Sequence, residues 1–369
     1  MPKEKIAIIS VLKPVDDTRA FEKIANSLSM NTTFEIHLYG QPSWQELSPS
    51  PNIEFHSHTI RPKGINRIWI RFLVFLKLAK LKPELIICNT HELLIVTFLC
   101  KILFGSKILY DIQENYYFNL KYQGNFTSII ANILAVTIRL KEKVLSPIFD
   151  HFILAEKSYE AELTFIKNRY TIIENKCVVP DNWQKSKHKQ KELRILFSGT
   201  ITKSNGIFKA LNFMEEVHKI NPKIEFVIIG HCPNEKLRKH LLKNEFQFIE
   251  QKISKNPIPH TEILEQIKKA NFGLICYELN PSNQNCMPTK VYEYTALGLP
   301  SIIDKGGVWE SYILSQNAGI MIDYLNLDHI NTAEILTNEK SLLEIDSIQE
   351  SKWHEESELL NNLILKYVQ

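Results

Sequence analysis

The sequence predicts an α/β protein of two doubly wound lobes, and three observations carry that expectation. At 369 residues the chain is too long for one ordinary core. Short, unbroken hydrophobic runs alternate with helix-length segments, as parallel strands buried on both faces require. The alternation restarts near Leu193, after a polar, basic stretch at 182–192 (NWQKSKHKQKE). In the first half, residues 6–11, 34–38, 84–88, 107–111 and 152–154 read as strands. In the second half, 194–197, 225–229, 246–249, 273–277, 301–303 and 319–322 do. Helices between them give repeated βαβ units. The expected domains are therefore 1–181, a linker at 182–192, 193–345, and a terminal segment at 346–369. Two such lobes around a cleft place ligands at the carboxyl ends of their strands.

Bulk properties narrow the function. With 44% hydrophobic and 23% charged residues, the composition is that of an ordinary globular protein rather than a disordered one. A net charge of +3 is too small to point to a nucleic-acid partner. The cysteines at 88, 100, 177, 232, 276 and 286 form no C-x-x-C pair, so neither a zinc nor a disulfide framework is expected, and a reducing cytoplasm is. The opening MPKEKIAIIS runs straight into a strand and reads as lacking a cleavable signal. No uncharged apolar run reaches the roughly 18 residues of a spanning helix.

The most informative stretch is 285–303, NCMPTKVYEYTALGLPSII. Pro288 suits a first helical turn, where a missing N–H costs nothing. Thr289 and Lys290 would then turn backbone amides toward an anion. One turn on, Glu293 offers two acceptor oxygens, and Gly298-Leu299-Pro300 ends the helix before a strand. A nucleotide diphosphate needs that pairing: amides for the pyrophosphate, a carboxylate for the ribose hydroxyls. The bland alternative is a strand–helix–strand unit with a Lys290–Glu293 surface pair contributing about 0.2–0.5 kcal/mol. Spacing alone does not separate the two.

Other segments at strand ends follow the same logic. In 197–206 (FSGTITKSNG), Gly199 lets the backbone approach a ligand, and Lys203 either neutralises phosphate or is a solvated loop lysine. In 110–116 (YDIQENY), Gln113 can hydrogen-bond through either end of its amide but cannot take up a proton. Asp111 and Glu114 would otherwise cap the next segment. Asp17 is a good N-cap for a helix at 18–30. His91, in CNTHELL at 88–94, either lines the cleft or starts a helix. Gly306 and Gly307 fit a close backbone approach, and Glu310 the next helix start. Lys176 is assigned no role. His37, His56 and His58 show no metal-ligating spacing, and there is no D-x-D string, so no metal or cofactor is expected. Finally, Arg61, Lys63, Arg67, Arg71, Lys77, Lys80 and Lys82 interleave with apolar and aromatic residues, with no acid between Glu54 and Glu84. Such a helix rests on an anionic membrane at about 1 kcal/mol per basic residue, or packs in the core with snorkelling lysines.

The string P-x-K-x-x-E-Y-x-A-x-G-x-P at 288–300 resembles the donor-sugar signature of the retaining, family-4-type glycosyltransferases of the GT-B fold. The resemblance implies that Glu293 holds the donor ribose and that Asn285 stands where the family often has another Glu. It places Thr200 at a common Arg, and Lys203 three positions before Gly206, where relatives carry Lys-Gly. Gln113 replaces the His of a Y-D-x-H-E-x-Y string that contacts the donor sugar. A D-x-R string, Asp17 to Arg19, resembles one in a subset of the family and would turn Arg19 toward the acceptor or a phosphate. His91 would supply a further polar contact. The segment from Trp353 to Tyr367 resembles the family's closing helix, which packs back on the first lobe.

What is expected is thus metal-independent transfer of a sugar from a nucleotide-diphosphate donor to a glycan or lipid-linked acceptor. The expected setting is surface-polysaccharide synthesis at the inner face of the cell membrane. Catalytic roles fall to Gln113, Lys203 and Glu293. Donor contacts fall to Gly199, Thr200, Asn285, Pro288, Thr289, Lys290 and Glu293, and the acceptor side to Asp17, Arg19, His91 and Glu114. A non-catalytic sugar-binding relative would explain Gln113, Thr200 and Asn285 together. A sugar-nucleotide epimerase of similar fold is the other alternative.

Overall fold

The computed structural model describes residues 3–43, 48–60, 62–123, 126–185, 193–243, 248–324 and 347–368. The chain forms two compact units, one of Met1–Asn175 with Trp353–Gln369, the other of Lys176–Lys352.

The first unit is built on β1 (Glu4–Pro14), β2 (Phe34–Gln41), β3 (Ile53–Ser57), β4 (Leu85–Cys88), β5 (Lys107–Ile112), β6 (His151–Leu154) and β7 (Tyr170–Ile172). All pair in parallel, in the order β3-β2-β1-β4-β5-β6-β7. A π-helical turn (Thr18–Ala25) runs into α1 (Asn26–Ser29). Further helices are α2 (Asn66–Leu81), α3 (Leu94–Phe104), α4 (Tyr116–Tyr122), α5 (Ser128–Leu145) and α6 (Tyr159–Glu162). One core joins Ile6, Ile8, Ile36 and Leu38 to Trp353, Leu360 and Ile364 at the end of the chain. The terminal helix (His354–Val368) thus belongs to this unit, and Trp353 Nε1 donates to Ser27 Oγ at 2.8 Å.

The second unit contains β8 (Arg194–Thr200), β9 (Glu225–His231), β10 (Ile249–Ser254), β11 (Phe272–Ile275), β12 (Ser301–Asp304) and β13 (Gly319–Ile322). Their parallel order is β10-β9-β8-β11-β12-β13. Its helices are α7 (Ile207–Ile220), α8 (Glu235–Lys243), α9 (His260–Lys269), α10 (Thr289–Ala296) and α11 (Trp309–Ser315). In each sheet the winding reverses once, between β1 and β4 and between β8 and β11. Those are the points beyond which such sheets hold ligands.

Three expectations need correction. Strands β3 and β7 escaped the reading because both are short and half-exposed, with no continuous apolar run. Strand β10 lies C-terminal to the expected 246–249, of which 246 and 247 fall outside the described residues. The stretch read as a linker also begins inside the second unit. Trp183 Nε1 donates to the Leu297 carbonyl at 3.2 Å, and Lys185 Nζ to that of Gly298 at 2.5 Å. Residues 186–192 and 325–346, and Arg61, lie outside the described residues.

Candidate active site

At the β8–β11 switch point the backbone is shaped by two glycines with positive φ. Gly199, φ 94°, stands one residue before the end of β8 and faces open space where a side chain would begin. Gly206, φ 83°, precedes α7, and a Cβ there would sit 1.8 Å from the Cys276 carbonyl oxygen. Only glycine meets both conditions, so the start of α7 is locked against the loop after β11. Thr200 at the end of β8 and Lys203 on the loop after it are exposed. The Thr200 carbonyl accepts from Asn205 Nδ2 at 2.7 Å, and the Lys203 carbonyl from the Gly206 amide at 2.9 Å. The Lys203 side chain has no ion pair with any described residue.

Helix α10 lies beside this loop. Pro288 is its cap (φ −61°, ψ 135°) and not its first turn, which opens with Thr289. Tyr294 fixes the helix to the sheet: its hydroxyl lies 2.8 Å from Ser198 Oγ, and its ring fills the space over Gly273. The Lys290 side chain is not the surface group a bland helix would carry. The residue is 7% exposed, and its Nζ stands 4.5 Å from the Phe197 ring centre and 5.3 Å from that of Tyr277. That Nζ has no hydrogen-bond partner among the described residues. Burial pulls its pKa down from 10.5 to about 8, against smaller opposing effects of Cys276 and Glu293. One turn on, Glu293 Oε1 accepts from His260 Nε2 at 2.5 Å. His260 opens α9, and no spacing in the sequence announced it. Asn285 is exposed on the loop ahead of α10.

In the first unit Asp17, Arg19 and Gln113 come together, but not as expected. Asp17 caps its helix, accepting from the amides of Arg19 (3.2 Å) and Ala20 (3.0 Å). Arg19 is 2% exposed, and its Nη1 has no hydrogen-bond partner among the described residues. It donates to Asp111 through Nη2 at 2.8 Å and Nε at 3.1 Å, and to the Ile173 carbonyl at 3.0 Å. Gln113 Nε2 donates to the same carboxylate at 2.6 Å, and its Oε1 accepts from Lys13, which lies 3.7 Å from Asp17. Both ends of the Gln113 amide are therefore held.

His91 packs edge-on against Tyr116 and accepts from Lys141 through Nδ1 at 3.0 Å. Burial, then Lys141, pushes its pKa to about 3, so the ring is neutral at physiological pH. Glu114 is exposed and accepts from Asn119 on α4. A residue the sequence did not flag stands at the end of β4: Asn89 is 1% exposed, with both amide atoms unpartnered among the described residues.

The second unit thus offers a buried cation, a carboxylate one turn away and a backbone turn open to close approach, all within one parallel sheet's switch region. Residues 179–345, nearly all of that unit, match the family model described as glycosyl transferases group 1. No curated protein sequence matches the chain. Similar solved structures include sucrose-phosphate synthase from Thermosynechococcus elongatus, at 15% identity, 99% of each chain and TM-score 0.69. The catalytic domain of starch synthase IV from Arabidopsis thaliana, bound to ADP and acarbose, matches at 11% identity over 100% of each chain, TM-score 0.67. WaaG, a glycosyltransferase involved in lipopolysaccharide biosynthesis, matches at 11% identity, over 97% of this chain and 95% of its own, TM-score 0.65. At such identities the likeness shows the fold, which is GT-B.

Proposed function

We propose that this chain, a glycosyltransferase of the GT-B fold whose second unit is a group 1 domain, moves a sugar from a nucleotide-diphosphate donor to a glycan or lipid-linked acceptor. In this reading transfer retains configuration and needs no metal. The observation that carries it is Lys290 Nζ, buried against two aromatic faces with no hydrogen-bond partner among the described residues. A buried charge left without a counter-group is costly. It is worth keeping where an anion enters, and each charge-assisted hydrogen bond to a diphosphate contributes about 1.5–3 kcal/mol. The open turn at Gly199 lets the phosphates approach the backbone, and Lys203 adds a second cation from solvent. Glu293 receives the ribose hydroxyls, sharing its carboxylate with His260. As the sugar leaves, negative charge builds on the diphosphate, so these groups act by electrostatic pre-organisation. In the first unit Gln113, clamped between Asp111 and Lys13, is a fixed polar group and not a base.

The test is turnover of a panel of nucleotide sugars by the purified chain, with and without acceptor, alongside Glu293→Ala. Transfer that requires acceptor and drops at least a hundredfold in the variant, with the fold unchanged by circular dichroism, is the expected result. Donor isomerisation without acceptor would instead favour the epimerase. Donor binding without any turnover would favour a sugar-binding relative, and full activity of Glu293→Ala would remove the central assignment.

A further inference from the structure

We propose that the first unit carries a divalent-metal site of the zinc class, formed by His37, His56 and Glu54 on the outer strands β2 and β3 and independent of the transfer chemistry. The parallel register sets His37 opposite Glu54 and Tyr39 opposite His56. Alternate residues of a strand share a face, so the two histidines and the carboxylate emerge on the same side of the sheet. There His37 Nδ1 and His56 Nε2 point at each other across 2.9 Å. Glu54 brings Oε2 to 3.6 Å from the first nitrogen and Oε1 to 3.6 Å from the second. The ligand atoms all lie within 4.8 Å of one another, a spacing that small side-chain adjustments bring to zinc–nitrogen and zinc–carboxylate lengths of about 2.0–2.2 Å. Two imidazoles and a carboxylate, with further positions open to water, suit zinc and its neighbours in the first transition row.

The surroundings support a ligand role. His37 is buried, and its other ring nitrogen lies 3.0 Å from Glu35 Oε1, off the line of a formed hydrogen bond. A carboxylate in that position orients a metal-bound imidazole. The Tyr39 ring stacks on His56 at 4.5 Å, limiting its rotation. Glu54 is largely exposed, which leaves an entry path from solvent. Lys5 and Lys77 also face the cluster, and Glu35 and Glu54 offset their charge. The simpler alternative is a pair of imidazoles sharing one proton, with Glu54 solvated. His37 on β2 lies 17 and 19 positions from Glu54 and His56, which share β3, so the spacing along the sequence does not announce the set.

The experiment uses the full, tag-free chain after chelator treatment. Zinc is titrated in competition with a chromophoric chelator, and cobalt(II) is added separately to read ligand-field absorption. One equivalent of zinc should bind with micromolar or tighter affinity and raise the melting temperature. His56→Gln and Glu54→Gln, both at partly exposed positions and checked by metal-free melting, should each weaken binding at least tenfold and abolish the cobalt spectrum. Failure to bind one equivalent, or variants that titrate like the parent, would leave the proton-sharing pair as the correct reading.

Discussion

An ammonium that touches two aromatic rings and no acceptor destabilises an empty protein, and Lys290 is such a group. Burial brings its pKa to about 8, while the unfolded chain holds it near 10.5. Between those values the unfolded state binds more protons, so stability gains from rising pH across that window, and the full penalty is present below it. Lys290→Met should therefore be more stable than the parent at pH 7, by up to an order of 3 kcal/mol. That advantage should shrink as pH climbs from 8 towards 10.5. Nucleotide-diphosphate affinity should fall ten- to a hundredfold at the same time. Urea melts at pH 7 and pH 10, paired with nucleotide titrations, read both effects; equal affinity in parent and variant would refute the role. The sequence made position 290 legible as a helix start beside a carboxylate, but not this environment. Phe197 and Tyr277 come from distant segments, as does His260, 33 positions from Glu293. Arg19 shows the same limit: its partner Asp111 is 92 positions away and holds Nε and Nη2 of a buried guanidinium, a pairing no local spacing announces. Local spacing names candidates, and long-range partners decide their protonation and reach.

At the level of elements, what could be read depended on how strongly burial constrained each segment. Strands β1, β4, β5, β8 and β9 are nearly continuous apolar runs because both faces are covered, whereas β3 at the sheet edge tolerates polar residues and was invisible. Helix α2 posed the opposite difficulty, its apolar residues being spread around the helix. In the folded chain Ile70, Val74 and Leu78 are buried, while Ile68, Trp69, Phe72, Leu73 and Leu76 are exposed. Helix α5 exposes Ile129, Ile133, Val136 and Leu140 in turn, and α3, which contacts both, exposes Ile102 and Leu103. Lys63, Lys77 and Lys80 are exposed on or beside α2, which contains no acid. No helix among the described residues is long and apolar enough to cross a membrane. An apolar face rimmed by cations is suited to lie on an anionic surface, which is where we propose a lipid-linked acceptor is met. The chain should sediment with anionic vesicles and much less with neutral ones, and added salt should weaken the binding. Trp69→Ser with Phe72→Ser removes two side chains whose burial contributes about 1.5–3 kcal/mol each, so vesicle affinity should drop tenfold or more. Donor binding should stay intact. Equal sedimentation of parent and variant would show that this face serves something other than lipid.

For the whole molecule, the decisive fact is that the chain leaves the first unit at Asn175 and returns to it at Trp353. The sequence suggested this return through the resemblance of its last segment, and the packing explains why the return matters. Trp353 is 6% exposed within the core that holds Ile6, Ile36 and Leu85, and its indole N–H is satisfied by Ser27. Truncating a buried tryptophan costs about 3–5 kcal/mol, a large share of the marginal stability of one domain. That loss falls on one unit only, because the core of the second unit is assembled from residues 177–348. Trp353→Ala should therefore split thermal unfolding into two transitions, the lower one belonging to the first unit. Gly199, Lys290 and Glu293 all lie in the second unit, so a nucleotide-diphosphate ligand should still raise the upper transition while leaving the lower one where it was. Differential scanning calorimetry with and without nucleotide tests both halves of the argument. A single transition shifted as a whole would mean that the two units unfold as one. A ligand that raised only the lower transition would mean that the donor is held chiefly by the first unit, and the assignment of Lys290 and Glu293 would fall with it.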